Sequence, residues 1–421
     1  MKHDTPSIAA LVFTLAVAVM AHPGCQSAGN GTIPDGVTPE ESLQRVIPAL
    51  MTKWNVPGGA VALARNGSVV LSKAYGLADK TGNVPVTTSS LFRLASLSKP
   101  ITAAAVLKLH EAGLLELDAR AFDILNDVEP PPGSTVDPRL AGVTVLDLLR
   151  HSGGWDRAVN FDPMFRSREI AAALGVPTPA DAAAIIRYMM GQPLDFDPGA
   201  RYAYSNFGYC LLARIIEKIT GQGYETYVMN TVLTPAGATG MRLGRSLAAD
   251  RADGEVAYYD YAGAPQAVSV FSEGTAYVPW PYGGFAIEPM DAHGGWLASA
   301  ADLLDFLLAV DGRATPPDIL QAATTGLMVA RPPLAEYQSS ATYYALGWQV
   351  RPTGGDANWW HTGSLPGTST IMVRTANGMA WVALFNSRPA NADAFFSELD
   401  NELWRAVNGI TEWPSAASAG R

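Results

Sequence analysis

The chain has 421 residues, 48% hydrophobic and 16% charged, enough apolar sequence for a large core in one or two lobes. Its formal net charge is −10 with no block of basic residues, which argues against nucleic acid or an anionic membrane surface as the main partner. No internal repeat or coiled-coil heptad stands out.

The N-terminus reads as an export signal over residues 1–24. Lys2 precedes an apolar run from Ile8 to Ala21, too short to span a bilayer comfortably. Cys25 follows Gly24 and is a candidate lipid-anchor cysteine, so free secretion and lipid anchoring stand as equal alternatives for an exported protein. Residues 25–38 form a Gly/Ser/Pro tether. An opening helix is expected from Glu40 to Trp54, then strands near Gly59 to Arg65 and Val69 to Tyr75. Lys80-Thr81-Gly82 reads as a hairpin turn with a surface lysine.

The stretch from Leu91 to Leu115 reads as a long amphipathic helix starting near Ser96, and Pro100 fits its first turn. It contains the chain's one Ser-x-x-Lys, Ser96-Leu97-Ser98-Lys99. Residues at i and i+3 share a helix face, so Lys99 should stand beside the Ser96 hydroxyl at the positive end of a helix dipole. That is a way to activate a serine as a nucleophile. A bare Ser-x-x-Lys also fits a serine helix cap with a solvated lysine. A mainly helical lobe is expected over about 121–290. Within it Pro198-Gly199 makes a turn, and apolar residues recur at helical spacing from Phe207 until Gly221 closes the helix. Tyr204 and Asn206 fall on the loop entering that helix. A phenol beside a lysine loses its proton more easily, so Tyr204 is a candidate acid/base toward Ser96. A core tyrosine and a capping asparagine fit the same residues. Cys210, in the same helix, reads as a buried thiol, with no structural disulfide expected. The aromatic stretch from Tyr258 to Trp280, with Tyr282, fits either the rim of an acyl pocket or packing under a long loop.

A helix is expected over Asp302 to Val310, strands over Ala345 to Leu384, and a closing helix from Ala392 to Val407, followed by a disordered tail over 413–421. Asn377-Gly378 is a two-residue hairpin signal. His361-Thr362-Gly363-Ser364 therefore lies on or beside a strand of an antiparallel hairpin. Gly363 would let backbone and substrate approach closely, and the N–H groups of Ser364 and Ser96 are candidates for an oxyanion hole. An ordinary strand-end turn fits as well. Gly-x-Ser-x-Gly is absent, and His110-Glu111 lacks a second histidine at helical spacing, so neither an α/β-hydrolase elbow nor a zincin is supported. His110 reads as a helix-surface residue, His151 and His293 as structural hydrogen-bonding residues.

Ser-x-x-Lys, Tyr-x-Asn and His-Thr-Gly, in that order, resemble the serine β-lactamase and penicillin-binding-protein superfamily. The likeness is greatest to class C β-lactamases, D-alanyl-D-alanine carboxypeptidases, D-aminopeptidases and the carboxylesterases on that fold. Val143 to Trp155 (VTVLDLLRHSGGW) and Gly294 to Leu307 (GGWLASAADLLDFL) resemble two further segments of the group, and the likeness runs from Leu43 to Val407. It implies Ser96 as acylated nucleophile, Lys99 as its activating partner and Tyr204 as acid/base. Asn206, His361, Thr362, Gly363 and Ser364 would bind substrate, with no metal or cofactor. The fold implied is α/β of the α+β type, an antiparallel sheet flanked by helices with an inserted mainly helical domain, in one hydrolase domain over 39–412. The function implied is a serine hydrolase of esters or amides of small acyl or peptide substrates. The alternatives are a sensor that acylates without turnover, or a β-lactamase or D-alanyl carboxypeptidase. The class C enzymes carry lysine where this chain has His361, and a neutral histidine supplies little of that lysine's charge for a substrate carboxylate.

Overall fold

The computed structural model describes residues 36–414. The signal segment, Cys25, most of the tether and the tail beyond residue 414 lie outside the described residues. The tether's last residues are folded in. Val37 is buried, its carbonyl accepts from the Thr411 and Glu412 N–H groups, and its N–H donates to Thr411 Oγ1. Thr38 caps the first helix through a capping box with Glu41. At the other end Trp413, placed by the sequence in the tail, packs on the core beneath the Arg65 guanidinium.

The opening helix α1 spans Pro39–Lys53. Strands β1 (Gly58–Arg65), β2 (Ser68–Asp79) and β3 (Val84–Pro85) follow. After a long excursion the chain returns as β4 (Tyr343–Tyr344), β5 (Gln349–Pro352), β6 (Ala357–Leu365), β7 (Thr368–Arg374) and β8 (Met379–Phe385). These make one eight-stranded antiparallel sheet in the order β4-β5-β6-β7-β8-β1-β2-β3. The Asn377-Gly378 turn joins β7 to β8, as the dipeptide predicts.

Side-chain alternation sorts the sheet's faces. Val61, Leu63, Trp381, Ala383 and Phe385 face α1 and the C-terminal helix Ala392–Asn408. Ala60, Ala62 and Ala64 point the other way, and such small side chains let the helix Ala300–Leu308 lie close on β1 and β8. Beyond it comes the mainly helical part, helices with a few two-residue strands between Ala121 and Met290.

Two sequence expectations change here. The helix containing Lys99, α2, spans Ser98–Glu111, preceded by a two-residue strand Phe92–Arg93 and a 3-10 turn Ala95–Leu97. Nor is α2 amphipathic. Its residues from Ser98 to Leu107 are all buried, because sheet, lobe and neighbouring helices enclose it. The Tyr-x-Asn helix, α3 in this numbering, spans Asn206–Thr220, and its cap is Ser205, which accepts from the Gly208 N–H.

Candidate active site

Ser96 sits in the 3-10 turn and is half-buried, while every other residue from Leu91 to Pro100 is buried. Ala95 just before it holds a left-handed φ of 51°, a costly conformation for a residue with a Cβ. The turn is pinned from two sides. Leu94 donates its N–H to the Trp296 carbonyl and accepts from the Thr370 hydroxyl at 2.8 Å each. Gly363 makes that approach possible, since a Cβ there would lie 2.3 Å from the Leu94 carbonyl oxygen and 2.2 Å from Thr370 Oγ1. The glycine thus admits the nucleophile's own loop, where the sequence suggested a substrate.

Lys99 is completely buried, and its Nζ lies 3.2 Å from Ser96 Oγ, 2.7 Å from Asn206 Oδ1 and 3.2 Å from the His293 carbonyl. It also stands 4.6 Å from the centre of the Tyr204 ring. Burial, then the Arg157 charge, push its ammonium well below the usual lysine range, against the pull of Asp162. A neutral amine has two N–H donors and one lone pair. The two carbonyl oxygens take the donors, and the lone pair is left for the Ser96 hydroxyl.

Tyr204 shares a hydrogen bond with Ser96, yet burial drives its phenol pKa up, against the Arg157 charge. The easily formed phenolate expected from the sequence is therefore not what this environment favours. His151 seats the tyrosine. Its carbonyl accepts from Ala203 N–H, its Nδ1 accepts from Ser205 N–H, and its ring lies 4.3 Å from the Tyr204 ring. The histidine is structural, as its sequence context suggested.

His361 is buried on β6. Its Nδ1 lies 2.7 Å from the Thr362 carbonyl and must donate there, so Nε2 accepts from the Tyr344 hydroxyl at 3.0 Å. Both ring nitrogens are occupied within the protein. Burial first, and the nearby Lys99, bring its pKa down to about 3, so the ring is neutral. Thr362 pairs with Ile371 and shares the sheet face of Trp360, which packs on the α1 side. Thr362 and Ser364 therefore turn their side chains away from Ser96, and their backbone is what the site receives. That backbone edge is open, because β5 pairs with β6 only over residues 357–360.

The structure thus brings Ser96, Lys99, Tyr204, Asn206, His361 and Gly363 together. The sequence reading missed Asp162, Arg157 and Tyr344. Asn206 Nδ2 donates to Asp162 Oδ2 at 2.6 Å, Arg157 pairs with Asp162 at 3.9 Å, and the Arg157 guanidinium lies 4.6 Å from the Tyr204 ring centre. Asp162-Pro163 signals only a turn in sequence. In the aromatic stretch Tyr258 is part of the core, with Trp280 and Tyr282 packed against it, as the packing alternative expects. Tyr258 and Tyr282 enclose the buried Arg93 guanidinium, which pairs with Glu255. Lys80-Thr81-Gly82 is a turn outside the site, with Asp79 accepting from Thr81 and Gly82. His110 is partly buried on α2 and hydrogen-bonds the Leu115 carbonyl. Cys210 is a free buried thiol raised by burial to about 12. Among the described residues no cluster of His, Cys, Asp or Glu is placed to hold a metal ion.

A sheet with helices on both faces carries a serine, a buried lysine and a tyrosine that meet at the open edge of β6. The Beta-lactamase family model matches residues 43–399, and the chain belongs to that family. Penicillin-binding protein 4* of Bacillus subtilis is 30% identical over 325 residues, 75% of this chain and 65% of that protein, just under two thirds of its length. Penicillin-binding protein 4 of Amycolatopsis lactamdurans is 28% identical over 87% of this chain and 90% of its own. A D-amino acid amidase from Ochrobactrum anthropi SV3, solved with D-phenylalanine, shares the fold with a TM-score of 0.68 at 23% identity, covering 88% of this chain and 98% of that one.

Proposed function

We propose that the protein cleaves ester or amide bonds of small acyl or peptide substrates through an acyl-enzyme on Ser96. The observation that carries this is Lys99, buried, with both carbonyl acceptors in place and Ser96 Oγ at 3.2 Å. Lys99 takes the Ser96 proton as Oγ attacks the acyl carbon. The backbone N–H groups of Ser96 and Ser364 receive the oxyanion. Tyr204, kept as a neutral phenol, passes its proton to the departing alcohol or amine and is reprotonated with the proton Lys99 took. Water then attacks the acyl carbon, giving its proton to Lys99, and the C–O bond to Ser96 breaks as that proton returns to Oγ and the acid leaves. The similarity to penicillin-binding proteins and to a D-amino acid amidase supports acyl substrates of this kind. His361 offers neither a charge nor a free ring nitrogen to a carboxylate, which favours neutral esters and amides over β-lactams. The apolar run from Ile8 to Ala21 after Lys2, read as an export signal, supports an exported location as part of the same proposal.

Ser96→Ala should abolish hydrolysis and keep the fold, since the half-buried Ser96 hydroxyl caps no helix and Lys99 keeps its two carbonyl acceptors without it. Fluorophosphonate labelling read by peptide mass spectrometry should mark Ser96 in the wild type and nothing in the variant. A panel of p-nitrophenyl esters, D-alanyl peptides and a chromogenic cephalosporin should show the highest kcat/KM for neutral substrates. Activity surviving in Ser96→Ala would overturn the nucleophile. A burst without steady turnover would mark a sensor instead, and efficient cephalosporin hydrolysis would show that position 361 does not set substrate choice.

A further inference from the structure

Asn206 touches Lys99 through one end of its amide and Asp162 through the other, at 2.7 and 2.6 Å. The two ends differ chemically. Nδ2 only donates and Oδ1 only accepts, whereas a carboxylate only accepts. Asp162 therefore dictates that Nδ2 faces it and that Oδ1 faces Lys99. With the amide reversed, two N–H groups would confront the lysine, and its lone pair would be drawn to Asn206 and away from Ser96. Asp162 is itself held. Its Oδ1 caps the 3-10 turn Pro163–Phe165 by accepting from Met164 N–H, and Arg157 pairs with its Oδ2. The guanidinium of Arg157 also lies over the Tyr204 ring, so one ion pair touches both Asn206 and Tyr204.

We propose that Asp162 and Arg157 are positioning residues of the proton relay, Asp162 by setting the orientation of the Asn206 amide and Arg157 by placing a fixed positive charge beside Tyr204 and Lys99. The inference rests on Ser96 as nucleophile and Lys99 as its base. The groups facing Lys99 from the surrounding elements are Ser96, Asn206, Tyr204, Tyr209, the His293 carbonyl and the rings of His151, His293 and His361. All three histidines are shifted toward the neutral form by burial first. Arg157 and Asp162 are then the charged pair acting on the lysine, and they act with opposite sign.

The test is the pH profile of kcat/KM for a p-nitrophenyl ester in Asp162→Asn and Arg157→Gln. Asparagine still caps the turn and can accept or donate, so the fold is kept while the amide loses its imposed direction. Asp162→Asn should lower the plateau rate by about tenfold, the cost of one ordinary hydrogen bond. It should also move the acidic limb to lower pH, since the charge that favours lysine protonation is gone. Arg157→Gln should move the acidic limb to higher pH, and Arg157→Lys should restore it. In an Asn206→Ala background Asp162→Asn should cost nothing further at the plateau, because its effect passes through that amide. Limbs that stay put or move the same way, or losses that add in the double variant, would overturn the proposal. Fluorophosphonate labelling of the same proteins separates the two levels. A wild type unlabelled at Ser96 removes the hydrolase reading itself, whereas labelling at Ser96 with unmoved profiles removes the positioning role alone.

Discussion

Tyr204 shows at the scale of a residue how surroundings decide chemistry. The same phenol would be a base beside an exposed ammonium, but here it is buried next to a lysine whose charged form burial also disfavours. In the proposed mechanism its hydrogen bond to Ser96 places it to carry a proton toward the leaving group. Tyr204→Phe keeps the ring against His151 and removes only the hydroxyl. Its kcat should fall by about 10²-fold or more, within the range of general acid–base catalysis, with little change in thermal stability. Near-normal turnover would make the tyrosine purely structural. Arg157 and Asp162 belong to the same scale and could not be picked out beforehand. Neither lies at a fixed spacing from Ser96, Lys99 or Tyr204, and a charged pair in a loop reads as surface until the fold closes over it.

At the scale of elements the site is a meeting of three, the 3-10 turn before α2, the loop entering α3 and the open end of β6. Their contact depends on missing atoms as much as on present ones. Gly363 leaves room for Leu94 and Thr370. Gly347, in the turn between β4 and β5, leaves room for α2, since a Cβ there would lie 2.8 Å from Ala103 Cβ and 3.3 Å from the Lys99 carbonyl oxygen. Gly363→Ala should push the backbone of Leu94 outward and carry Ser96 with it. A displacement near 1 Å at a reacting atom costs about 10²-fold, so kcat/KM should fall by about that much with a lower Tm. An alanine variant with wild-type kinetics and melting would show that the strand and the turn do not need this contact. The helices were visible in sequence from their periodicity and caps, and the β7–β8 hairpin from Asn377-Gly378. The 3-10 turn was not, because the apolar run from Leu91 to Leu115 has no alternation to distinguish a buried turn from a buried helix.

For the whole molecule, pH couples the site to stability. His361 is held neutral down to about 3, mainly by burial, while an unfolded histidine takes a proton near 6.5. A depressed folded pKa gives stability that is complete above the unfolded value and is lost as pH falls toward the folded one. The protein's Tm should therefore drop as pH goes from about 7 to about 4. His361→Gln should show a shallower drop over the same window, measured by calorimetry at matched ionic strength. Equal slopes in the two proteins would mean that His361 is as easily protonated in the fold as outside it. Asp291 works in the opposite direction. Burial raises it to about 6 despite its pairing with Arg214, so its contribution is present at low pH and is lost as pH rises through that value.

Three motifs in order, through the family they resemble, were enough to give the class of fold and to single out Ser96, Lys99, Tyr204 and Asn206 as candidates. Only the Ser96–Lys99 neighbourhood is local, since three residues' spacing through the turn into α2 brings those two groups together. The protonation state of Lys99, the tautomer of His361 and the direction of the Asn206 amide were decided only by tertiary structure. Each depends on burial and on hydrogen-bond partners far away along the chain. Asp162 is 44 residues from Asn206, the His293 carbonyl 194 from Lys99 and the Tyr344 hydroxyl 17 from His361. No periodicity in the sequence encodes such meetings, because desolvation and hydrogen-bond direction are properties of the packed interior.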